Sequence, residues 1–229
     1  MYDTCATYSD DVGRDEVDRS HYSFLVVEAN VQSVDDSPRE SDLGVRNQLS
    51  GPNIQLNLPD LAATRALAVR LAGVLRAGDL VLLNGALGAG KTIFTQSLGA
   101  ALGVQGRVSS PTFIIARVHP GGVQPHGERG PSLVHVDAYR LGGLDELDAL
   151  DLDDTLADAI TVVEWGRGKV ESLAEDRLEI DLEREPGTQV DGDAPPDDVS
   201  DEPRQVTIRG FGPRWAEVDL AAAIAVSDA

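Results

Sequence analysis

Apolar and polar positions along this chain fall into blocks of two periods, one helical and one extended. In "LPDLAATRALAVRLAGVLRAGD" the residues Leu61, Leu67, Leu71 and Leu75 recur at helical spacing, with Asp60 as the predicted cap and Gly78 as the predicted end. "DLVLLNG" (Asp79 to Gly85) is a short continuous apolar run between turn residues, the pattern of a parallel strand buried on both faces. "KTIFTQSLGAALGV" then predicts a helix that ends at Gly103.

Further along, "TFIIARVHP" and "SLVHVDAYRL" are strand-like runs separated by the Gly/Pro-rich "GGVQPHGERGP", which predicts a β-hairpin with a long mobile loop. "LDELDALDLDDTLAD" predicts an acidic helix with leucines on one face, and "AITVVEWG" another short buried strand. "RLEIDLERE" and "RQVTIRGFG" predict a late antiparallel pair, and a closing helix runs through "RWAEVDLAAAIAV". Strands alternating with helices define an α/β chain.

Two stretches lack such periodicity. Residues 1–52 carry eleven Asp or Glu against four Arg, with strand character only in "SFLVVEANV", and read as an acidic, disordered extension. "PGTQVDGDAPPDDVSDEP" is rich in Pro, Gly and acid with few apolar residues, and reads as an acidic flexible loop at about 187–204 inside a domain spanning 53–229.

Composition narrows the function. The formal net charge is −20, and no basic patch is present to displace counterions from nucleic acid, which argues against an independent RNA-binding role for this chain. No run approaches the roughly 20 apolar residues of a membrane span. The acidic start is not a signal peptide, and the single Cys5 cannot form an intrachain disulfide, so the expected location is the cytoplasm.

Of nineteen basic residues only two are lysine, Lys91 and Lys169, and Lys91 lies in "GALGAGKT". That stretch fits G-x-x-x-x-G-K-[ST] and stands between a predicted strand and a predicted helix, the context that makes it a phosphate-binding loop. Backbone N–H groups of Gly85, Leu87, Gly88, Ala89, Gly90, Lys91, Thr92 and Ile93 are the candidate phosphate donors, helped by the positive end of the helix. A point-charge ammonium on a flexible stem suits the tight loop better than a planar guanidinium does. Thr92 is a candidate Mg²⁺ ligand. Asp137 and Glu164 each end an apolar run, where a P-loop enzyme needs an acid for metal or water.

These elements predict a P-loop NTPase-like three-layer fold, a mixed central β-sheet flanked by helices. Neither lysine follows an Asn, which argues against a guanine-reading N-K-x-D motif. A small-molecule kinase and a nucleotide-gated binding module with negligible turnover stay open as alternatives.

Together, "GDLVLLNGALGAGKTIF", "VSSPTFIIARV", "LVHVDAYRLGGLDELDALDLDD" and "TVVEWGRG" resemble the TsaE-type ATPases of bacterial tRNA threonylcarbamoyladenosine biosynthesis over about residues 55–185. The resemblance implies an ATPase, slow alone, that binds Mg²⁺ and ATP and acts with a TsaB–TsaD heterodimer, hydrolysis resetting the complex. The tRNA would be contacted only indirectly. It further implies that Ser110, Pro111 and Thr112 act as a first switch, that Asp137 is the Mg²⁺-associated acid, and that Glu164 and Trp165 form a second switch touching nucleotide. Lys91, Glu164 and Asp137 are the expected catalytic residues, with Thr92, Asp137 and Glu164 toward the metal. The chain departs from the family pattern at Ala86 and Ile93, where Asp and Thr are usual. Arg107 and Arg140 are the nearby arginines for a finger in cis.

Overall fold

The computed structural model describes residues 29–30, 51–111, 115–124, 127–140, 157–184 and 202–225. Most of the acidic extension, Thr112, the acidic helix expected after Arg140 and nearly all of the acidic loop lie outside these residues.

The described elements are β1 (Ala29–Asn30), β2 (Asn53–Leu58), α1 (Leu61–Ala72), β3 (Leu80–Asn84), α2 (Lys91–Leu102), β4 (Ala116–His119), β5 (Ser132–Asp137), β6 (Ala159–Glu164), β7 (Arg177–Arg184), β8 (Arg204–Phe211), α3 (Pro213–Ala216) and α4 (Leu220–Ile224). The strands form one mixed sheet in the order β1-β2-β8-β7-β3-β6-β5-β4. Its centre, β7-β3-β6-β5, is parallel, and antiparallel strands close both sides. This is the P-loop NTPase-like α/β architecture that the alternation of strands and helices predicts.

Burial follows from strand position. All five residues of β3 are buried, as a central parallel strand requires, whereas β2 alternates between buried and exposed residues on the antiparallel side. On one face α1, α2 and α4 pack Leu67, Leu71, Phe94, Leu98 and Ile224 against Val81, Leu83, Val162 and Ile180. On the other face Leu80, Leu82, Val134, Val136 and Val163 meet Val170, Leu173 and Ala174 from the turns after β6.

Two helix boundaries differ from the sequence expectation. α1 stops at Ala72, not at Gly78, because the Gly73 N–H turns back to the Arg70 and Leu71 carbonyls; its start is capped by Asp60, which accepts from Ala63 N. The closing helix is two short ones: α3 ends at Ala216 with Glu217 as its C-cap, and Asp219 caps α4 by accepting from Ala222 N. The β4–β5 and β7–β8 antiparallel pairs form as expected.

The sheet places the chemistry at one edge. The chain leaves β3 for α2, then returns on the β6–β5 side, with β7 added later on the other side of β3. Ligands of open α/β sheets bind at the carboxyl ends of the strands, where the winding changes direction. There, Leu83 of β3, Glu164 of β6 and Asp137 of β5 stand level in register.

Candidate functional site

Gly85 opens the loop in a conformation that glycine serves best. Its φ is 143°, and a Cβ would lie 2.3 Å from the Leu182 carbonyl oxygen, so β7 closes against the loop as it leaves β3. Gly90, with φ 104° in the left-handed region, turns the chain into α2, and Phe94 N donates to its carbonyl at 2.9 Å. Leu87 at the tip is 88% exposed, while Ala89 is buried.

Arg204, buried on β8, supports the loop from behind. Its Nε donates to the Ala89 carbonyl at 3.0 Å. Across a trans peptide the carbonyl and the next N–H point in opposite directions, so pinning Ala89 O directs the Gly90 N–H to the other side of the loop. Arg184 stands opposite Arg204 in the β7–β8 ladder, a like-charge pairing that would repel on its own. Glu202 offsets it, accepting from Arg184 Nη2 at 2.6 Å through its carboxylate and from Arg204 Nη1 through its carbonyl.

Lys91 is 5% exposed, and its Nζ donates to the Gly85 and Ala86 carbonyls at 2.8 and 2.9 Å. The same ammonium lies 3.8 Å from the centroid of the Trp165 ring. Burial pulls its pKa below the ordinary lysine value, and the Glu164 and Asp137 carboxylates partly oppose that shift.

Thr92, the first residue after the lysine, directs its hydroxyl to Glu164, at 3.2 Å from Oε1 and 3.3 Å from Oε2. Glu164 is itself buried, and His135 Nε2 lies 2.8 Å from its Oε1. Asp137 is adjacent to Glu164 in the parallel β5–β6 pairing, but its Oδ1 accepts from the Tyr139 N–H at 3.1 Å. The structure therefore brings Glu164 to Thr92 and leaves Asp137 one strand away.

Trp165 does not pack in the core, a place taken by Trp215, which is fully buried. It holds a left-handed φ of 62°, costly for a bulky residue, and its N–H donates to the Leu83 carbonyl at 3.2 Å. Tyr139, 68% exposed, meets its ring edge-on at 5.3 Å between centroids. Two residues on, Arg167 pairs with Asp181 of β7, which also binds Arg209, so the turn carrying Trp165 is tied to the sheet.

Of the first-switch residues, Ser110 is exposed and Pro111 buried, with the Pro111 carbonyl accepting from Ile115 N at 3.0 Å. Arg107 is exposed, away from any described contact with the loop. Ala86 is exposed, and Ile93 is half-buried on the first turn of α2. Sequence reasoning missed His135, Tyr139 and Arg204. Only His135 left a trace, being two residues before Asp137 and so on the same face of β5.

The donors at Thr92 and Glu164 are hard oxygens, and Mg²⁺ takes one or two protein oxygens together with water and phosphate. No group of three or more His, Cys, Asp or Glu capable of holding a metal occurs among the described residues. The hard-oxygen pair of Thr92 and Glu164 fits Mg²⁺ that takes its remaining oxygens from a nucleotide and water. Among the described residues no helix is long and apolar enough to cross a membrane.

Fold and loop together define a P-loop NTPase-like α/β protein. A family model of the threonylcarbamoyl adenosine biosynthesis protein TsaE matches residues 58–190, and the chain belongs to the TsaE family. The tRNA threonylcarbamoyladenosine biosynthesis protein TsaE of Streptomyces coelicolor is 56% identical over 158 residues, covering 69% of this chain and 97% of its own length. Its Bacillus subtilis namesake is 33% identical over 153 residues, covering 66% of this chain and 82% of its own. The crystal structure of Bacillus subtilis YdiB superposes with a TM-score of 0.53 at 28% identity, over 75% of this chain and 93% of that one.

Proposed function

We propose that this chain binds Mg²⁺-ATP on Gly85 to Thr92 and hydrolyses it in support of tRNA threonylcarbamoyladenosine modification. The observation that carries the reading is the meeting of Lys91, Thr92 and Glu164 at the carboxyl edge of the sheet. In this reading the loop N–H groups bind the phosphates, and Lys91 exchanges the Gly85 and Ala86 carbonyls for the β- and γ-phosphate oxygens. Thr92 and Glu164 would hold Mg²⁺, whose chemistry there would be neutralisation of charge on the phosphoryl oxygens. Glu164 and Asp137, side by side, orient the water that attacks the γ-phosphorus as its bond to the ADP oxygen breaks, giving ADP and inorganic phosphate. Trp165, on its strained turn, couples the Lys91 ammonium to the strand that carries Glu164.

Family membership supports the biological setting. The chain would act on a TsaB–TsaD-type heterodimer in the cytoplasm, using ATP binding and hydrolysis to reset that complex, while the partners hold the tRNA. A charge of −20 suits such indirect contact with RNA. Phosphate release from Mg²⁺-ATP, measured for the chain alone and with the TsaB–TsaD pair and tRNA, tests this. Strong stimulation by the pair is expected. Saturable ATP binding with no phosphate release under any condition would replace the ATPase reading with a nucleotide-gated binding module. Release that rises with a soluble metabolite instead of the pair would replace it with a small-molecule kinase.

A further inference from the structure

The buried carboxylate of Glu164 needs donors, and the described residues supply two: the Thr92 hydroxyl and His135. His135 projects from β5 beneath the loop, with its side chain fully buried, and its Nε2 stands 2.8 Å from Glu164 Oε1. Its Nδ1 has no hydrogen-bond partner among the described residues. A buried N–H without a partner costs more than a bare ring nitrogen, so the proton belongs on Nε2, and the imidazole donates to the carboxylate.

We propose that His135 is a positioning residue that sets the metal-binding geometry of Thr92 through Glu164. The inference rests on the Mg²⁺-ATP reading of the site. The Nε2–H of His135 and the hydroxyl proton of Thr92 converge on one carboxylate. Because the Thr92 proton is committed to Glu164, the hydroxyl's lone pairs face away from it, available to a hard cation. With His135 removed, Glu164 is free to rotate, and the direction of the Thr92 lone pairs is lost with it. Partners of this kind behind a metal ligand typically govern metal affinity by about 10- to 100-fold.

The experiment titrates ADP into the full chain by calorimetry, in EDTA and across a Mg²⁺ series. Mg²⁺ is expected to strengthen ADP binding to the wild-type chain, and ADP binding indifferent to Mg²⁺ there would overturn the proposal. His135→Phe keeps a planar ring, larger than imidazole, and removes the donor. It is expected to raise the half-effective Mg²⁺ concentration about tenfold or more, with ADP affinity in EDTA within about twofold of wild type. His135→Gln places an amide N–H near the Nε2 position and restores the wild-type Mg²⁺ response. Should His135→Phe fail to fold, His135→Asn, whose nitrogen sits nearer the backbone, is expected to show the same selective loss. Equal loss of ADP affinity with and without Mg²⁺ would make the residue merely structural and overturn the proposal, as would an unchanged Mg²⁺ response. A wild-type chain that binds ADP in neither condition would overturn the P-loop reading itself.

Discussion

The ammonium of Lys91 lies 3.8 Å from the centroid of the Trp165 ring while its hydrogens go to the Gly85 and Ala86 carbonyls. The lysine that the P-loop pattern assigns to phosphates is thus in contact with the residue that follows the Glu164 strand. In the proposed function phosphate oxygens would compete for the same ammonium, which would couple filling of the loop to the environment of Trp165.

Tryptophan emission should report that coupling. The chain has two tryptophans, and Trp215, on α3, is fully buried. Titrating Mg²⁺-ATP is expected to change the emission of the wild-type chain and to leave that of Trp165→Phe nearly unchanged. A full signal in Trp165→Phe would show that the ring does not sense the loop.

The lowered pKa of Lys91 makes a stability prediction of definite sign. Burial disfavours its charged form, so between the lowered folded value and the ordinary 10.5 the unfolded chain binds more protons than the folded one. Stability gained from this group therefore rises with pH through that window and is lost below it. The melting temperature of Lys91→Met relative to wild type should fall as pH rises through that window toward 10.5, because only the wild type gains stability there. Thermal melts from neutral to alkaline pH measure it.

Arg204 lies outside the 58–190 family match, yet it holds the Ala89 carbonyl. Arg204→Met should weaken ADP binding about tenfold through a loosened Gly90 peptide, with about 1–3 kcal/mol of stability lost from the unpaired acceptors. Arg204→Lys, one point charge in place of a fork, should recover only part of either. Calorimetry beside denaturant melts separates the two effects.

Much of this arrangement was legible in the sequence, for identifiable reasons. β3, the loop and α2 are local: an apolar run, glycines and a helical pattern follow one another. The hairpins were legible through alternation. The end of α1 was misplaced because Val74 and Leu75 continue the apolar pattern after the backbone has turned at Gly73. Asp137 and Glu164 looked equivalent as acids at strand ends, and only the side-chain geometry brings Glu164 to Thr92. His135 and Arg204 were not legible as site residues, since their partners lie 29 and 115 positions away.

Glu164→Gln keeps the side chain's shape and removes its charge. It should bind ADP in EDTA as wild type does, while ATP turnover falls about a hundredfold or more. Asp137→Asn should lose less, because its visible partner, the Tyr139 N–H, is retained by the amide oxygen. Single-turnover hydrolysis by the two variants ranks the carboxylates. An Asp137→Asn loss exceeding that of Glu164→Gln would reverse their roles.

Calorimetric titration of Mg²⁺-ATP into the wild-type chain and into Lys91→Ala tests the central claim most directly. One saturable site in the wild type is expected, with affinity at least about tenfold weaker in Lys91→Ala, as losing a charge-assisted phosphate contact requires. Equal affinity in both chains, or none in the wild type, would contradict a nucleotide site built on Gly85 to Thr92.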